Sequence, residues 1–286
     1  MLAARVATAI VGVPIILALV WLDGPPLWIV AALAAAVAGW EAGNLLGTGR
    51  PHPLPNPSTI LAIFGAAGLV LAAGIGPAAD LAIIGLILFV ALTLSLTRAA
   101  TPPDAHDWSA ALASALYAGL PLALLVSMRQ WPGETPLAIP LLGTLARGTG
   151  WLLLTLTGVW AVDTAAYAVG RLVGRRRLWP RVSPNKTWEG TIGGVIAGIV
   201  VVEAWAPALG IGTGFGLGLG IALASAAVLG DLVESALKRR AQVKDAGALL
   251  PGHGGLLDRI DSLAFAAVVV FLSGILDGSA GTHVLF

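Results

Sequence analysis

Long apolar runs, separated by short polar or proline-rich segments, make up most of this chain. Nine such runs fall near residues 4–22, 27–48, 59–77, 80–97, 108–128, 150–170, 190–208, 211–236 and 262–280. A helix that spans a bilayer needs about 20 consecutive apolar residues. The pattern therefore predicts an all-α polytopic membrane protein with about nine transmembrane helices, and a large soluble enzyme with buried helices is the alternative fold.

The composition supports this prediction. Hydrophobic residues make up 57% of the 286 positions and charged residues only 11%, whereas soluble domains average about 25% charged residues. The chain contains no cysteine, which excludes disulfides, Cys-ligated zinc and thiolate catalysis. A formal net charge of +1 gives no indication of nucleic-acid binding. We expect a multi-pass protein of the cell membrane, and the sequence leaves a homodimer open.

The positions of the lysine and arginine residues indicate how the helices are oriented. Cytoplasmic loops carry an excess of these residues. With the N-terminus in the cytoplasm, 14 of the 16 cations lie inside, and only Arg129 and Arg147 lie outside. The C-terminus is then outside, which requires an odd number of spans. The predicted regions are 1–149 with about five spans and a catalytic region, 150–286, with about four spans and the cytoplasmic loops 171–189 and 237–261.

Carboxylates flank the second of these loops, and membrane topology does not explain them. Asp231 lies at the end of the eighth span, on one helical face with Ser235 and Lys238. Asp258 and Asp261 follow the loop at a spacing of three residues. Convergent aspartates in a chain without cysteine or a suitable histidine pair favour a hard cation, Mg²⁺ above all. A second cation is left open.

The loop between these acids has features typical of a phosphate-binding segment. It combines cations, which attract a polyphosphate, with glycines, whose neighbouring backbone N–H groups can approach an anion closely. These residues are Lys238, Arg239, Lys244, Arg259, Gly252, Gly254 and Gly255. The interpretation is a nucleoside triphosphate site, and the alternative is an ion-paired loop in which the acids offset the cations.

Polar residues in the preceding loop and in the sixth span are further candidates. The segment "RVSPNKTWEG" contains Ser183, Asn185, Lys186 and Thr187. Ser183 or Thr187 could instead cap the seventh helix, and Lys186 could extend to the membrane surface. Asp163 lies within the sixth span, where an acid costs on the order of 2.5–3.5 kcal/mol on insertion scales and usually faces a polar interior. This placement favours a functional role for Asp163.

The segment from Ser235 to Asp261 resembles the signature of the phosphatidate cytidylyltransferases, also called CDP-diacylglycerol synthases. The matching positions are Ser235, Lys238, Arg239, Lys244, Asp245, Gly247, Leu250, Pro251, His253, Gly254, Gly255, Asp258, Arg259, Ile260 and Asp261. The "SPNKTWEG" segment and the surroundings of Asp163 are also similar to this family, with Ala165 where relatives often carry glycine. The resemblance covers about residues 150–265, and the first five spans match only in general character.

The resemblance implies the Mg²⁺-dependent reaction of CTP with phosphatidate in the bilayer, which gives CDP-diacylglycerol and pyrophosphate. It implies that Asp231, Asp258 and Asp261 hold metal and are catalytic together with Lys238 and Lys244. Arg239 and Arg259 are expected at the phosphates, and the residues expected around the nucleotide are Ser235, Asp245, His253, Gly254 and Gly255. The residues expected near the lipid headgroup are Ser183, Asn185, Lys186 and Thr187. Asp163 is expected to orient one of these groups or a metal.

Three other functions remain as alternatives. A CTP-dependent lipid kinase, acting on a polyprenol-type alcohol, is disfavoured by the intact "PGHGGLLDRID" segment. An ion-coupled membrane transporter could use Asp163 as its coupling acid, but it has no need for a cationic, glycine-rich loop. A CDP-alcohol phosphotransferase should show an Asp-Gly-x-x-Ala-Arg stretch, which the sequence lacks.

The predicted orientation can be tested by cysteine labelling, because the natural chain has no cysteine. In intact cells, an impermeant thiol reagent should label Gly281→Cys and leave Arg176→Cys unlabelled, since the cation distribution puts residue 176 in the cytoplasm. Permeabilised cells should allow both positions to react and serve as the control. Labelling of position 176 but not 281 in intact cells would reverse the topology.

Overall fold

A computed structural model describes residues 2–48, 57–97, 105–139, 143–249 and 254–281 of the chain. These residues contain nine α-helices, a π-helical turn and two antiparallel β-hairpins. The helices are α1 (Leu2–Leu22), α2 (Pro25–Gly43), α3 (Pro57–Ile75), α4 (Pro77–Thr97), α5 (Ala105–Arg129), α6 (Arg147–Val173), α7 (Trp188–Leu209), α8 (Thr213–Arg240) and α9 (Leu257–Leu276), and the π-helical turn is Asn44–Thr48. The strands are β1 (Glu134–Ile139), β2 (Gly143–Ala146), β3 (Arg177–Trp179) and β4 (Ser183–Thr187).

The all-α polytopic fold predicted from the sequence is confirmed. Every one of the nine apolar runs falls on a helix. Within the described residues, seven helices are long and apolar enough to cross a membrane, namely α2, α3 and α5 to α9. The apolar stretches of α1 and α4, Ile10–Leu22 and Pro77–Thr93, are shorter. The number of spans and the side on which each terminus lies stay predictions.

Proline and glycine determine where the first helices begin. Pro25, Pro57 and Pro77 each occupy the first position of a helix, where the N–H that proline lacks would have no partner inside the helix. Gly24 and Gly76 precede two of these prolines with φ values of 65° and 140°. Residues with a Cβ rarely adopt such conformations, so these glycines allow the chain to reverse between successive apolar helices.

Contacts within the chain divide it into two compact units. The first unit comprises Met1–Ser127 together with Leu237–Ile260, and the second comprises Met128–Ala236 together with Asp261–Leu285. The connection between α8 and α9 therefore packs with the N-terminal helices. The predicted division of the chain near residue 149 stays a prediction.

Small residues allow the helices of the first unit to approach closely. A Cβ atom added to Gly39 of α2 would lie 2.6 Å from the carbonyl oxygen of Ala62 on α3. One added to Gly119 of α5 would lie 2.6 Å from the Cα atom of Ala66. Packing of helices in membranes depends on such close contacts, because lipid tails are as apolar as the side chains and provide no hydrophobic driving force.

The second unit is built on a row of glycines along α7. Gly190, Gly194 and Gly198 recur at every fourth position, the small-residue spacing of closely packed membrane helices. A Cβ atom on Gly190 would lie 2.6 Å from the carbonyl oxygen of Ala166 on α6, and one on Gly198 would lie 3.0 Å from the Cβ of Ala224 on α8. The row therefore allows both α6 and α8 to pack closely against α7.

The two hairpins mark opposite ends of the second unit, because they precede and follow the long helix α6. The β1–β2 hairpin joins α5 to α6, and next to it the Trp131 ring packs on Trp151 and Phe271, with centroids 5.7 and 5.3 Å apart. The β3–β4 hairpin joins α6 to α7 and pairs Arg177 with Thr187. The sequence predicted both segments as connections and gave no indication of the strands.

Two glycines of α8 offer a matched test of this packing. A Cβ atom on Gly220 would lie 2.6 Å from the Cα of Ile199 on α7, whereas nothing lies within 4 Å of one on Gly218. Overpacking costs about 1–3 kcal/mol, while alanine in place of glycine favours a helix by about 0.8–1.0 kcal/mol. In detergent, Gly220→Ala should lower the melting temperature and Gly218→Ala should leave it equal or higher. Equal melting temperatures for the two variants would contradict the contact between α7 and α8.

Candidate active site

Asp258, in the first turn of α9, closes the connection between α8 and α9 in the first unit. Its Oδ1 atom lies 2.6 Å from Lys238 Nζ. Its Oδ2 atom accepts hydrogen bonds from the backbone N–H groups of Ala246, at 2.9 Å, and Gly255, at 2.8 Å. The Asp258 side chain is only 4% exposed, and a buried charge needs this many partners to offset the loss of water. The carboxylate therefore ties the end of α8 and two points of the loop to α9.

A glycine is required where the loop passes this carboxylate. Gly254 has a φ of 78°, and a Cβ atom there would lie 2.8 Å from Asp258 Oδ2. The predicted glycine-rich turn thus allows the backbone to approach an acid as well as to adopt the left-handed conformation. Residues 250–253, which include the candidate His253, lie outside the described residues.

A second carboxylate reaches the same loop from α2. Glu41 is 1% exposed, and its two oxygens accept hydrogen bonds from the backbone N–H groups of Leu256, at 3.1 Å, and Leu257, at 2.7 Å. These N–H groups begin α9 and have no partner inside the helix. Negative charge at a helix N-terminus is favourable. The prediction of site residues missed Glu41, although an acid inside an apolar span is a signal of a specific role.

The other candidates of this loop lie on the surface of the first unit. Arg239, Lys244, Asp245 and Arg259 are all exposed. The loop therefore has a buried layer of acids bonded to its backbone and an exposed layer of charged side chains. The exposed layer is accessible to an anionic ligand, as the prediction of phosphate contacts requires.

In the second unit, Lys186 and Asp231 form an ion pair. Lys186 lies in strand β4. Its Nζ atom lies 2.8 Å from Asp231 Oδ2 on α8 and 3.5 Å from the carbonyl oxygen of Val228. Ser235, one turn further along α8, donates a hydrogen bond to Asp231 Oδ1 at 3.2 Å. The structure thus brings together three predicted site residues from two separate segments.

Asp163 is close enough to this pair, and to Asp261, to interact with them electrostatically. Asp163 on α6 accepts a hydrogen bond from Ser262 Oγ on α9 at 3.3 Å. Its charge interacts with those of Asp261, Asp231 and Lys186. Three helices therefore each contribute one aspartate to a group that contains a single lysine. We call Asp163, Asp231, Asp261 and Lys186 the carboxylate cluster.

The β3–β4 hairpin fixes the start of α7 beside the carboxylate cluster. Thr187 is 4% exposed and caps α7, since its hydroxyl accepts a hydrogen bond from the Gly190 N–H at 3.1 Å. The capping role that the sequence allowed for Thr187 is thus present. Ser183 is half-buried and Asn185 is exposed, which leaves Asn185 accessible for the predicted contact with substrate.

The carboxylate cluster has the chemistry that a divalent cation requires. Three of its four members are aspartates, and carboxylate oxygens are the ligands that Mg²⁺ prefers. Across the residues that the structure describes, however, no three or more His, Cys, Asp or Glu side chains are arranged to hold a metal ion by themselves. Mg²⁺ is usually bound by one or two carboxylates and completed by substrate phosphates, so the cluster fits a metal that binds together with its substrate.

Comparison with known proteins identifies the family. The chain belongs to the cytidylyltransferase family, whose model matches residues 3–275. This match confirms the resemblance found in the sequence and extends it to the N-terminal helices.

Curated relatives match over a shorter range. The chain is 44% identical over 124 residues to a phosphatidate cytidylyltransferase of Staphylococcus haemolyticus, covering 43% of this chain and 48% of the relative. It is 44% identical over 120 residues to that of Bacillus subtilis, covering 41% and 45%, and 40% identical over 159 residues to that of Brucella suis, covering 52% and 58%. The chain thus spans about half the length of the curated relatives that it matches.

The role of Asp258 in holding the loop can be tested by hydrogen exchange. Asp258→Asn removes the charge that pairs with Lys238 and weakens the acceptor of two backbone N–H groups. Hydrogen bonds to a charged group contribute about 1.5–3 kcal/mol each, so the peptide containing Ala246 and Gly255 should exchange at least about tenfold faster. Asp245→Asn, at an exposed position of the same loop, should leave the exchange rate unchanged. Equal protection in the two variants would show that Asp258 does not hold the loop.

Proposed function

We propose that this protein makes CDP-diacylglycerol and pyrophosphate from CTP and phosphatidate. The observation that carries the proposal is the loop between α8 and α9, which bears the family signature and is held on Asp258, with Arg239, Lys244 and Arg259 exposed. A triphosphate needs such cations. A lipid substrate accounts for a catalytic segment that lies between membrane helices.

In the proposed reaction, a phosphate oxygen of phosphatidate attacks the α-phosphorus of CTP. A new P–O bond forms there, the bond to the β-phosphate oxygen breaks, and pyrophosphate leaves with its electron pair. The second pKa of a phosphate monoester is about 6, as for phosphoserine, so at neutral pH the attacking group is mostly a dianion. No protein base is then needed, and the contribution of the protein is positioning and neutralisation of charge.

We assign the aspartates to Mg²⁺ and the cations to the phosphates. Asp231 and Asp261 of the carboxylate cluster would hold the ion, which would neutralise charge on the phosphate oxygens. Asp258 is a third proposed ligand, and Lys238 must release its Oδ1 atom for this to happen. Lys244 and Arg259 would contact the triphosphate of CTP, and Lys186 would contact the phosphatidate headgroup.

We place the α8–α9 loop on the cytoplasmic side of the cell membrane, where CTP is available. The contact between Glu41 and the start of α9 supports an even number of membrane crossings between them. Six helices, α3 to α8, lie between these points, and five of them are long and apolar enough to cross within their described residues. We infer that α4 also crosses the membrane. The number of spans is then greater than seven and closer to the nine predicted from the sequence.

The proposal is tested with the purified full chain, phosphatidate in mixed micelles, Mg²⁺ and each of the four nucleoside triphosphates. CTP should give pyrophosphate and a lipid that carries the cytidine label. Release of CDP with a phosphorylated lipid would instead identify a lipid kinase, and no turnover with any triphosphate would refute the proposal.

Substitution in the carboxylate cluster should abolish this activity. Asp231→Asn removes the negative charge that pairs with Lys186 and would bind the ion, so kcat should fall by at least about 100-fold, the effect typical of losing one electrostatic contact in a transition state. Asp277→Asn is the matched control, since Asp277 is an exposed acid after the end of α9. Full activity of Asp231→Asn would contradict the assignment.

A further inference from the structure

Glu41 makes a contact in the first unit that the proposed chemistry does not use. Its carboxylate lies between the backbone N–H groups of Leu256 and Leu257, at the start of α9, and two glycines of the α8–α9 loop. A Cβ atom on Gly255 would lie 2.5 and 2.6 Å from the two carboxylate oxygens, and one on Gly247 would overlap with Oε1. The backbone of the loop therefore approaches Glu41 at three separate points.

We propose that Glu41 is the positioning residue of the nucleotide-binding loop, holding the loop on α2 in the arrangement that binds CTP. The assignment of CTP to this loop rests on the proposed function. The group of contacts between Glu41, Gly247, Gly255 and the N–H groups of Leu256 and Leu257 is called the Glu41 latch.

A helix cap alone does not account for this arrangement. Helix N-termini are commonly capped by a serine, threonine, aspartate or asparagine next to the helix, and that position is occupied here by Leu256, which has no side-chain acceptor. The acceptor is instead 215 residues away in the sequence, within an apolar helix where a charge is costly. A local side chain would cap α9 at a lower cost, but it would not attach the loop to another helix.

The Glu41 latch fixes the part of the loop that Asp258 leaves free. Asp258 bonds the N–H groups of Ala246 and Gly255, whereas Glu41 bonds the next two N–H groups, those of Leu256 and Leu257. The two carboxylates thus hold the backbone between Lys244 and Arg259, the residues proposed to contact CTP. Ordering a binding segment before the ligand arrives improves affinity, because the entropic cost has already been met in folding.

The test is steady-state kinetics of the full chain with Glu41→Gln and Glu41→Ala. Glutamine keeps the size but presents an NH₂ group to one of the two backbone N–H groups, so the Michaelis constant for CTP should rise about 10-fold, and about 100-fold with alanine, as expected for one and two hydrogen bonds to a charged group. The Michaelis constant for phosphatidate and kcat should change less than about threefold. The alternative of a purely structural cap predicts lower yield with unchanged constants per folded molecule, which would overturn the proposal.

Glu203→Gln is the matched control for removing a charge from an apolar helix. Glu203 lies on α7 in the second unit, and its Oε1 atom is buried without a hydrogen-bond partner among the described residues. This variant should bind CTP as the natural protein does. An equal loss of CTP affinity in Glu203→Gln would show that the effect of Glu41 is not specific.

Gly247→Ala perturbs the same contact from the opposite side and tests the proposal if the Glu41 variants do not fold. Its new methyl group would overlap with the carboxylate, so it should also raise the Michaelis constant for CTP. In the Glu41→Ala background, which makes room for that methyl group, the substitution should have little further effect. Effects of the two substitutions that multiply would contradict a shared contact.

Hydrogen exchange separates a failure of the latch from a failure of the proposed function. In Glu41→Ala, the peptide containing Leu256 and Leu257 should exchange at least 10-fold faster, whatever reaction the protein catalyses. Unchanged exchange would overturn the latch even if the protein makes CDP-diacylglycerol. Faster exchange in a protein that has no activity with CTP would leave the contact in place and refute its assignment to CTP binding.

Discussion

The requirement that a buried carboxylate be paired determines how this protein folds around its polar residues. In an apolar bundle, an unpaired charge is far more costly than in water. Asp258 and Glu41 meet the requirement with backbone N–H groups and one lysine. The loop between α8 and α9 is bonded to these two acids at four backbone N–H groups, so its conformation depends on them. Electrostatic pairing thus holds the loop in place, as packing holds the helices.

The carboxylate cluster depends on a different property, the small size of the residues between the helices. Acids on α6, α8 and α9 can interact because glycines let the backbones approach. A Cβ atom on Gly230 of α8 would overlap with the carbonyl oxygen of Asp261 on α9, and Gly190 plays the corresponding part between α7 and α6. With larger residues at these positions, the same aspartates would be separated by the width of a side chain. The glycines therefore determine the electrostatics of the cluster.

Local sequence patterns predicted the helices and gave Thr187 as one of two possible caps of α7, because each depends on neighbours a few positions away. Long-range contacts were not predictable in the same way. The pairing of Glu41 with the start of α9, and that of Asp163 with Ser262, join segments far apart in the sequence, and no periodicity encodes them. The hairpins were missed because strands of three to six residues are too short to show a clear alternation of apolar and polar positions.

The aspartates of the signature differ in how their charge is balanced, although the sequence presents them as equivalent. Asp258 has one oxygen on a lysine and the other on two backbone N–H groups, so its charge is balanced by the protein itself. In the carboxylate cluster, Asp231 pairs with Lys186, and Asp163 adds a further negative charge that interacts with this pair. A cation that bound Asp258 would therefore have to compete with Lys238 and two backbone N–H groups, whereas one that bound Asp231 would compete with Lys186 and the Ser235 hydroxyl.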